Sequence, residues 1–218
     1  MTTSFAKSKR QQSRGEEIAN SLSHGIGLVG ALVTTPILIM HAVRSGDTGF
    51  IVGASIFAAT MVLLYLASTL YHALPSGKAK HALHIIEHSA IFLLIAGTYT
   101  PFTLGVLRGA WGWTLLALVW GLAVAGVALK VFNRLFQPIF STGLYLLMGW
   151  LLLIAIKPLH DRLPATGLLW LFAGGLAYTT GVAFFAADSR LPYGHFIWHL
   201  FVMTGTACHY CAVFWYAA

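Results

Sequence analysis

The stretch Gly194-His-Phe-Ile-Trp-His199, which opens an apolar run continuing to Tyr216, decides how this chain is read. The run is long enough to cross a bilayer, whose hydrocarbon core takes about 20 helical residues. His195 and His199 are four apart, so a helix sets both imidazoles one turn apart on one face. Ionisable side chains inside a span are costly and mark function by default. Two imidazoles at this spacing are also half of a metal site of the kind carried by zinc-binding helices. The plainer reading is a histidine pair lining a helix contact or the membrane interface. A third ligand delivered to the same place from elsewhere in the chain separates the two.

The composition belongs to a membrane. Of 218 residues, 58% are hydrophobic and only 9% are charged, with a mean hydropathy of +0.78. A soluble protein needs far more charge to cover its surface. The 22 glycines suit the close helix approach found in lipid. A net charge of +7 does not imply nucleic acid, because the basic residues are scattered between apolar runs and form no basic–aromatic patch. They act instead as topology signals and contacts to anionic headgroups. Cys208 and Cys211, three apart in the last run, are poorly placed for a disulfide and read as small packing residues.

Seven spans are predicted, at roughly 22–43, 50–72, 84–107, 111–130, 138–157, 166–187 and 194–216. Breaks fall where turn residues and charge coincide: Arg44 to Asp47, Pro75 to Lys78, Arg108-Gly109, Asn133-Arg134, Pro158 to Pro164, and Asp188 to Gly194. No loop is long enough for a soluble domain, so residues 1–218 read as a single seven-span membrane domain, an all-α transmembrane bundle. Residues 1–23 form a polar N-terminal segment with no compact apolar signal region behind it. That segment is expected to stay and to lie on the surface as a helix leading into the first span. Pro36, Pro101 and Pro138 are expected to kink or start helices, and Gly121, Gly126 and Gly174-Gly175 to be packing positions. The tryptophans near span ends, among them Trp150 and Trp198, read as an interfacial belt.

The positive-inside rule gives an orientation. With a cytoplasmic N-terminus, that side holds Lys7, Lys9, Arg10, Arg14, Lys78, Lys80, Lys130, Arg134 and Arg190, which is nine. The other side holds Arg44, Arg108, Lys157 and Arg162, which is four. The C-terminus is then outside, and the expected location is the inner, or plasma, membrane.

This orientation brings three helices to one depth. The second span ends inside at Ser68-Thr-Leu-Tyr-His72, the third begins inside with Glu87 about a turn in, and the seventh begins with His195 and His199. His72 is therefore the third candidate ligand. Three neutral imidazoles with one open position make up a catalytic zinc site, so Zn2+ is the expected cofactor. Glu87, read as the one acidic residue inside a span, is placed to act as the base, and Ser68 to bind the water, a carbonyl or a ligand's partner. Alternatives stay open. Glu87 can pair with Lys80 or stay protonated, and His84 and His88 are rival ligands at i, i+4. His88 lies about 100° around the helix from Glu87, so the two cannot both point straight at one ion. His24 reads as structural or as a support to the site. His41, His160 and His209 are too far from it or too deep.

The residues also resemble the hemolysin III branch of the progestin and adipoQ receptor family. The resemblance rests on Glu16-Glu-Ile-Ala-Asn-Ser-Leu-Ser-His-Gly-Ile-Gly27, Ser68-x3-His72, the stretch from Glu87 to Pro101, and Gly194-His-Phe-Ile-Trp-His199 with His209 ten residues on. It implies a seven-helix bundle with a cytoplasmic N-terminus, zinc on His72, His195 and His199, and a motif serine at Ser68. Glu87 stands where the receptors carry an aspartate, one methylene shorter. The resemblance further implies a metal-dependent hydrolase of a lipid amide or ester bond, with membrane lipids as partners and a role in membrane homeostasis. Two other activities remain expectations of the same resemblance: a membrane-state sensor with structural zinc, and a pore-forming cytolysin.

Overall fold

The computed structural model describes residues 10–132 and 138–218. Lys7, Lys9 and the Asn133-Arg134 break, together with the side chain of Pro138, lie outside the described residues. Among those residues every regular element is a helix: α1 (Arg14–Ser45), α2 (Thr48–Ala73), α3 (Lys78–Leu104), α4 (Ala110–Val131), α5 (Pro138–Gly149), α6 (Ile156–His160), α7 (Ala165–Ala187) and α8 (Gly194–Tyr216). A 3-10 segment, Leu151–Ala155, joins α5 to α6, and the three together make one span.

Seven stretches of 22 to 32 residues are long and apolar enough to cross a membrane. Their outward faces carry exposed Ile18, Leu22, Ile26, Val29, Val124 and Leu176. Apolar surface running the length of several helices belongs in lipid. The chain is a multi-pass membrane protein.

Local chemistry sets the helix ends. Ser13 caps α1 as half of a capping box whose other half is Glu16, and Gly46 ends the helix with φ 71°. Asp47 then caps α2 by accepting from the Phe50 amide. Helix α1 runs without a break from Arg14 through the polar residues into the span, so among the described residues no separate surface-lying helix precedes it. The i, i+3 and i, i+4 spacing of its buried residues explains this: Glu16, Asn20, Ser23, His24 and Gly27 share one inward face.

Consecutive helices pack side by side from α1 to α4, α7 packs along α8, and α1 packs on α8 to close the arrangement. Helices α2 and α3 approach closely where Gly53 meets Pro101: a β-carbon there would lie 2.5 Å from the Pro101 Cα. Gly126 packs on the Phe92 ring and Gly174 on His209 in the same way, as their composition predicts. Gly121 does not, because open space surrounds it.

The break in the fifth span is held by one phenol. The Tyr99 hydroxyl accepts from the Leu152 amide at 2.9 Å and lies 2.9 Å from both the Met148 and Gly149 carbonyls, to one of which it donates. Backbone groups freed by a helix break in hydrocarbon need such a partner. Tyr99→Phe is expected to leave an amide and a carbonyl unpaired, at about 1–3 kcal/mol. The loss is read as earlier thermal unfolding of the purified protein, and an unchanged midpoint would refute it.

Candidate metal centre

The end of the bundle that gathers the start of α1, the end of α2, the start of α3 and the start of α8 holds the site. The last turns of α2 carry Ser68 and His72 on one face, α3 presents Glu87 two turns in, and α8 presents His195 and His199 in its first turns. One ligand atom from each of His72, Glu87, His195 and His199 lies within 4.8 Å of the others. The three imidazole centroids are 4.7–5.1 Å apart. His72, Glu87 and His199 are buried, and His195 is nearly so. The four residues read together from the sequence meet in space, and Ser68 joins them through a 2.6 Å hydrogen bond from its hydroxyl to Glu87 Oε1.

Helix α1 arranges these ligands. Glu17 Oε2 lies 2.7 Å from His72 Nδ1, which donates to it, so the Nε2 lone pair of a neutral His72 faces the cluster. The ring Nδ1 of His199 lies 3.2 Å from the Asn20 carbonyl and 3.0 Å from the Ser23 hydroxyl. A carboxylate or carbonyl on the outer nitrogen of an imidazole is the usual orienting device behind metal-binding histidines. Lys80 pairs with the second oxygen of Glu17 at 2.9 Å and not with Glu87. Glu16, buried at the same end, accepts from both terminal nitrogens of the Arg10 guanidinium and from the Tyr193 amide. The start of α1 is thereby pinned to the turn ahead of His195.

The fit to a cation rests on what is left unpaired. His72 Nε2, both ring nitrogens of His195 and Glu87 Oε2 are buried without a hydrogen-bond partner. Glu87 Oε1 stands 3.6 Å from His72 Nε2. An acceptor facing a lone pair at that distance is repulsive unless positive charge lies between them. Two ligands on a tetrahedral ion at about 2.0–2.1 Å are roughly 3.3 Å apart. Three imidazoles, one carboxylate and their outer hydrogen bonds fit a divalent ion. This donor set could hold a metal.

Of the remaining histidines, His24 and His88 border this cluster, His24 with its ring on that of His199 and His88 with its Nδ1 3.6 Å from Glu87 Oε2, while His41, His160 and His209 stand apart from it. The His84 and His88 rings meet at a tilt with centroids 4.1 Å apart, and the His88 Nδ1 lies 3.0 Å from the His84 carbonyl. His41 stacks on Phe214, and His160 sits 3.8 Å from Asp161. His209 hydrogen-bonds the Leu171 carbonyl from α8. Beside the cluster lies a cavity of about 100 Å³. Glu87, His195 and His199 form one end of it, and Tyr99, Tyr178 and His209 line it further along. The site therefore opens onto an apolar space within the bundle.

A multi-pass helical bundle with buried histidines and one carboxylate gathered at one end defines the class. The chain belongs to the haemolysin-III related family, within the progestin and adipoQ receptor group, whose pattern matches residues 12–210. It is 46% identical over 203 residues to Hemolysin-3 of Bacillus cereus, covering 92% of this chain and 91% of that protein. It is 46% identical over 201 residues to the Hemolysin-3 homolog of Bacillus subtilis, across 92% and 94% of the two. Identity to the monocyte to macrophage differentiation factor of Homo sapiens is 30% over 210 residues, 92% of this chain and 84% of that one. No solved structure matches the chain at significance.

Proposed function

We propose that this protein is a zinc-dependent hydrolase of a lipid amide or ester bond in the inner membrane, with its N-terminus and its metal centre on the cytoplasmic side. The observation that carries the reading is a buried set of free ligand lone pairs opening directly onto an apolar cavity. The split of nine basic residues against four supports the orientation.

A zinc ion supplies Lewis acidity, polarising a carbonyl and making water a better acid. His72, His195 and His199 hold the ion, the first oriented by Glu17 and the last by Asn20 and Ser23. Glu87 is the base: the Ser68 hydroxyl fixes its Oε1, and its Oε2 is free to take a proton from water. Ser68 thus acts by orienting Glu87. The cavity takes the apolar part of a lipid that is already in the bilayer.

The test compares the unchanged protein with Glu87→Gln in lipid nanodiscs, scoring bound zinc and fatty acid released from amide and ester lipids. Glu87→Gln is expected to keep its zinc and to lose at least about a hundredfold in turnover. No release by zinc-loaded unchanged protein would refute the hydrolase. It would favour a structural ion tying α2 to α8, as a membrane-state sensor needs. Conductance that survives removal of zinc would favour a pore, against which stands the gathering of the polar side chains at one end.

A further inference from the structure

His24 lies on the inward face of α1, one turn beyond Asn20, and its ring stacks on that of His199 with centroids 3.6 Å apart and planes within 7°. The edge of Tyr65 closes on it at 5.1 Å. The residue is 3% exposed, and neither ring nitrogen has a hydrogen-bond partner. Among the described residues it is not one of the clustered ligand set, yet it lines the cavity together with Glu87 and His199.

A buried imidazole with both nitrogens unmatched is rare, and it points to a group that arrives from outside the chain. A neutral ring presents one N–H donor and one lone pair. An ester brings acceptors only, whereas an amide brings a carbonyl acceptor and an N–H donor. We propose that His24 binds the polar head of a lipid amide lodged in the cavity beside the centre, and so sets a preference for amides over esters. This rests on the reading of the cavity as a lipid site. Stacked flat on a ligand ring, the side chain stands where the group next to the scissile bond would lie. His24 neither holds the ion nor acts as the base.

The test uses direct binding, with dodecanamide and methyl dodecanoate as probes on purified full-length protein, both zinc-loaded and zinc-stripped. The unchanged protein is expected to bind the amide more tightly than the ester. His24→Phe, which keeps a stacking ring, is expected to weaken the amide about tenfold more than the ester, the worth of the one hydrogen bond that only the amide N–H can give to the ring's lone pair, and to leave the zinc content alone. The same loss is expected in the stripped protein, because the contact is with the ligand and not with the ion. Should His24→Phe not fold, nitrogen NMR of the unchanged protein decides: the signal of the unprotonated His24 ring nitrogen shifts on adding dodecanamide and not on adding the ester. Equal affinity for the two probes in the unchanged protein, a loss seen only with zinc bound, or an unmoved ring signal would each overturn the proposal. Absent turnover with the amide preference intact would remove the hydrolase and leave this contact standing.

Discussion

Replacing both histidines of α8, in the double variant His195→Ala/His199→Ala, is expected to bring bound zinc from about one per chain to near zero. Two of three imidazoles go, and His72 alone cannot hold an ion that prefers four ligands. The fold should survive, since α8 is held along its length against α7 and α1 and not through the centre alone. The unchanged protein is expected to gain stability from added zinc, by about 2.7 kcal/mol at a hundred times the dissociation constant. The double variant should gain nothing. Elemental analysis and thermal unfolding with and without zinc read both effects, and unchanged stoichiometry would mean that these residues do not bind the ion.

Glu17→Gln is expected to weaken zinc binding by about ten- to a hundredfold without touching a ligand. The carboxylate accepts from His72 Nδ1 at 2.7 Å and so fixes both the tautomer and the tilt of the ring. Glutamine keeps the shape and one acceptor but loses the charge that makes Nε2 a better donor to the ion. Its effect is separable from that of Lys80, which shares the same carboxylate. Lys80→Ala removes an ion pair at the edge of the bundle and should change affinity far less, because partly exposed pairs contribute little. Competition against a graded series of chelators ranks the three proteins. Equal affinity in Glu17→Gln would mean that His72 is oriented by something else.

The spans were legible because hydropathy alone fixes them, and five of the seven run close to their predicted limits, while the first and third helices start well ahead of theirs. The meeting of His72, Glu87, His195 and His199 was legible for a different reason. Spacing at i, i+4 fixed the face on α8, and the alternation of spans fixed the depth on α2 and α3. What escaped was the part played by α1. Glu16 and Glu17 read as part of a polar N-terminal segment, although Ser13 with Glu16 is a capping box and Glu16 and Asn20 recur at helical spacing before the predicted first span begins. That pattern was the available signal that the helix starts early and turns a polar face inward. The break after Gly149 left no such mark, since it depends on Tyr99 reaching across from α3. Trp198 likewise read as a belt residue. Only the tertiary packing of α7, with Gly181 opposite its ring, puts it inside next to His199.

X-ray absorption at the zinc edge of the purified protein tests the central claim most directly. About three imidazole nitrogens at roughly 2.0–2.1 Å, with light oxygen scattering completing four, are expected. A shell containing sulfur at about 2.3 Å would assign the metal to Cys208 and Cys211. That result, or protein that takes up no zinc at all, would contradict a centre built from α2, α3 and α8.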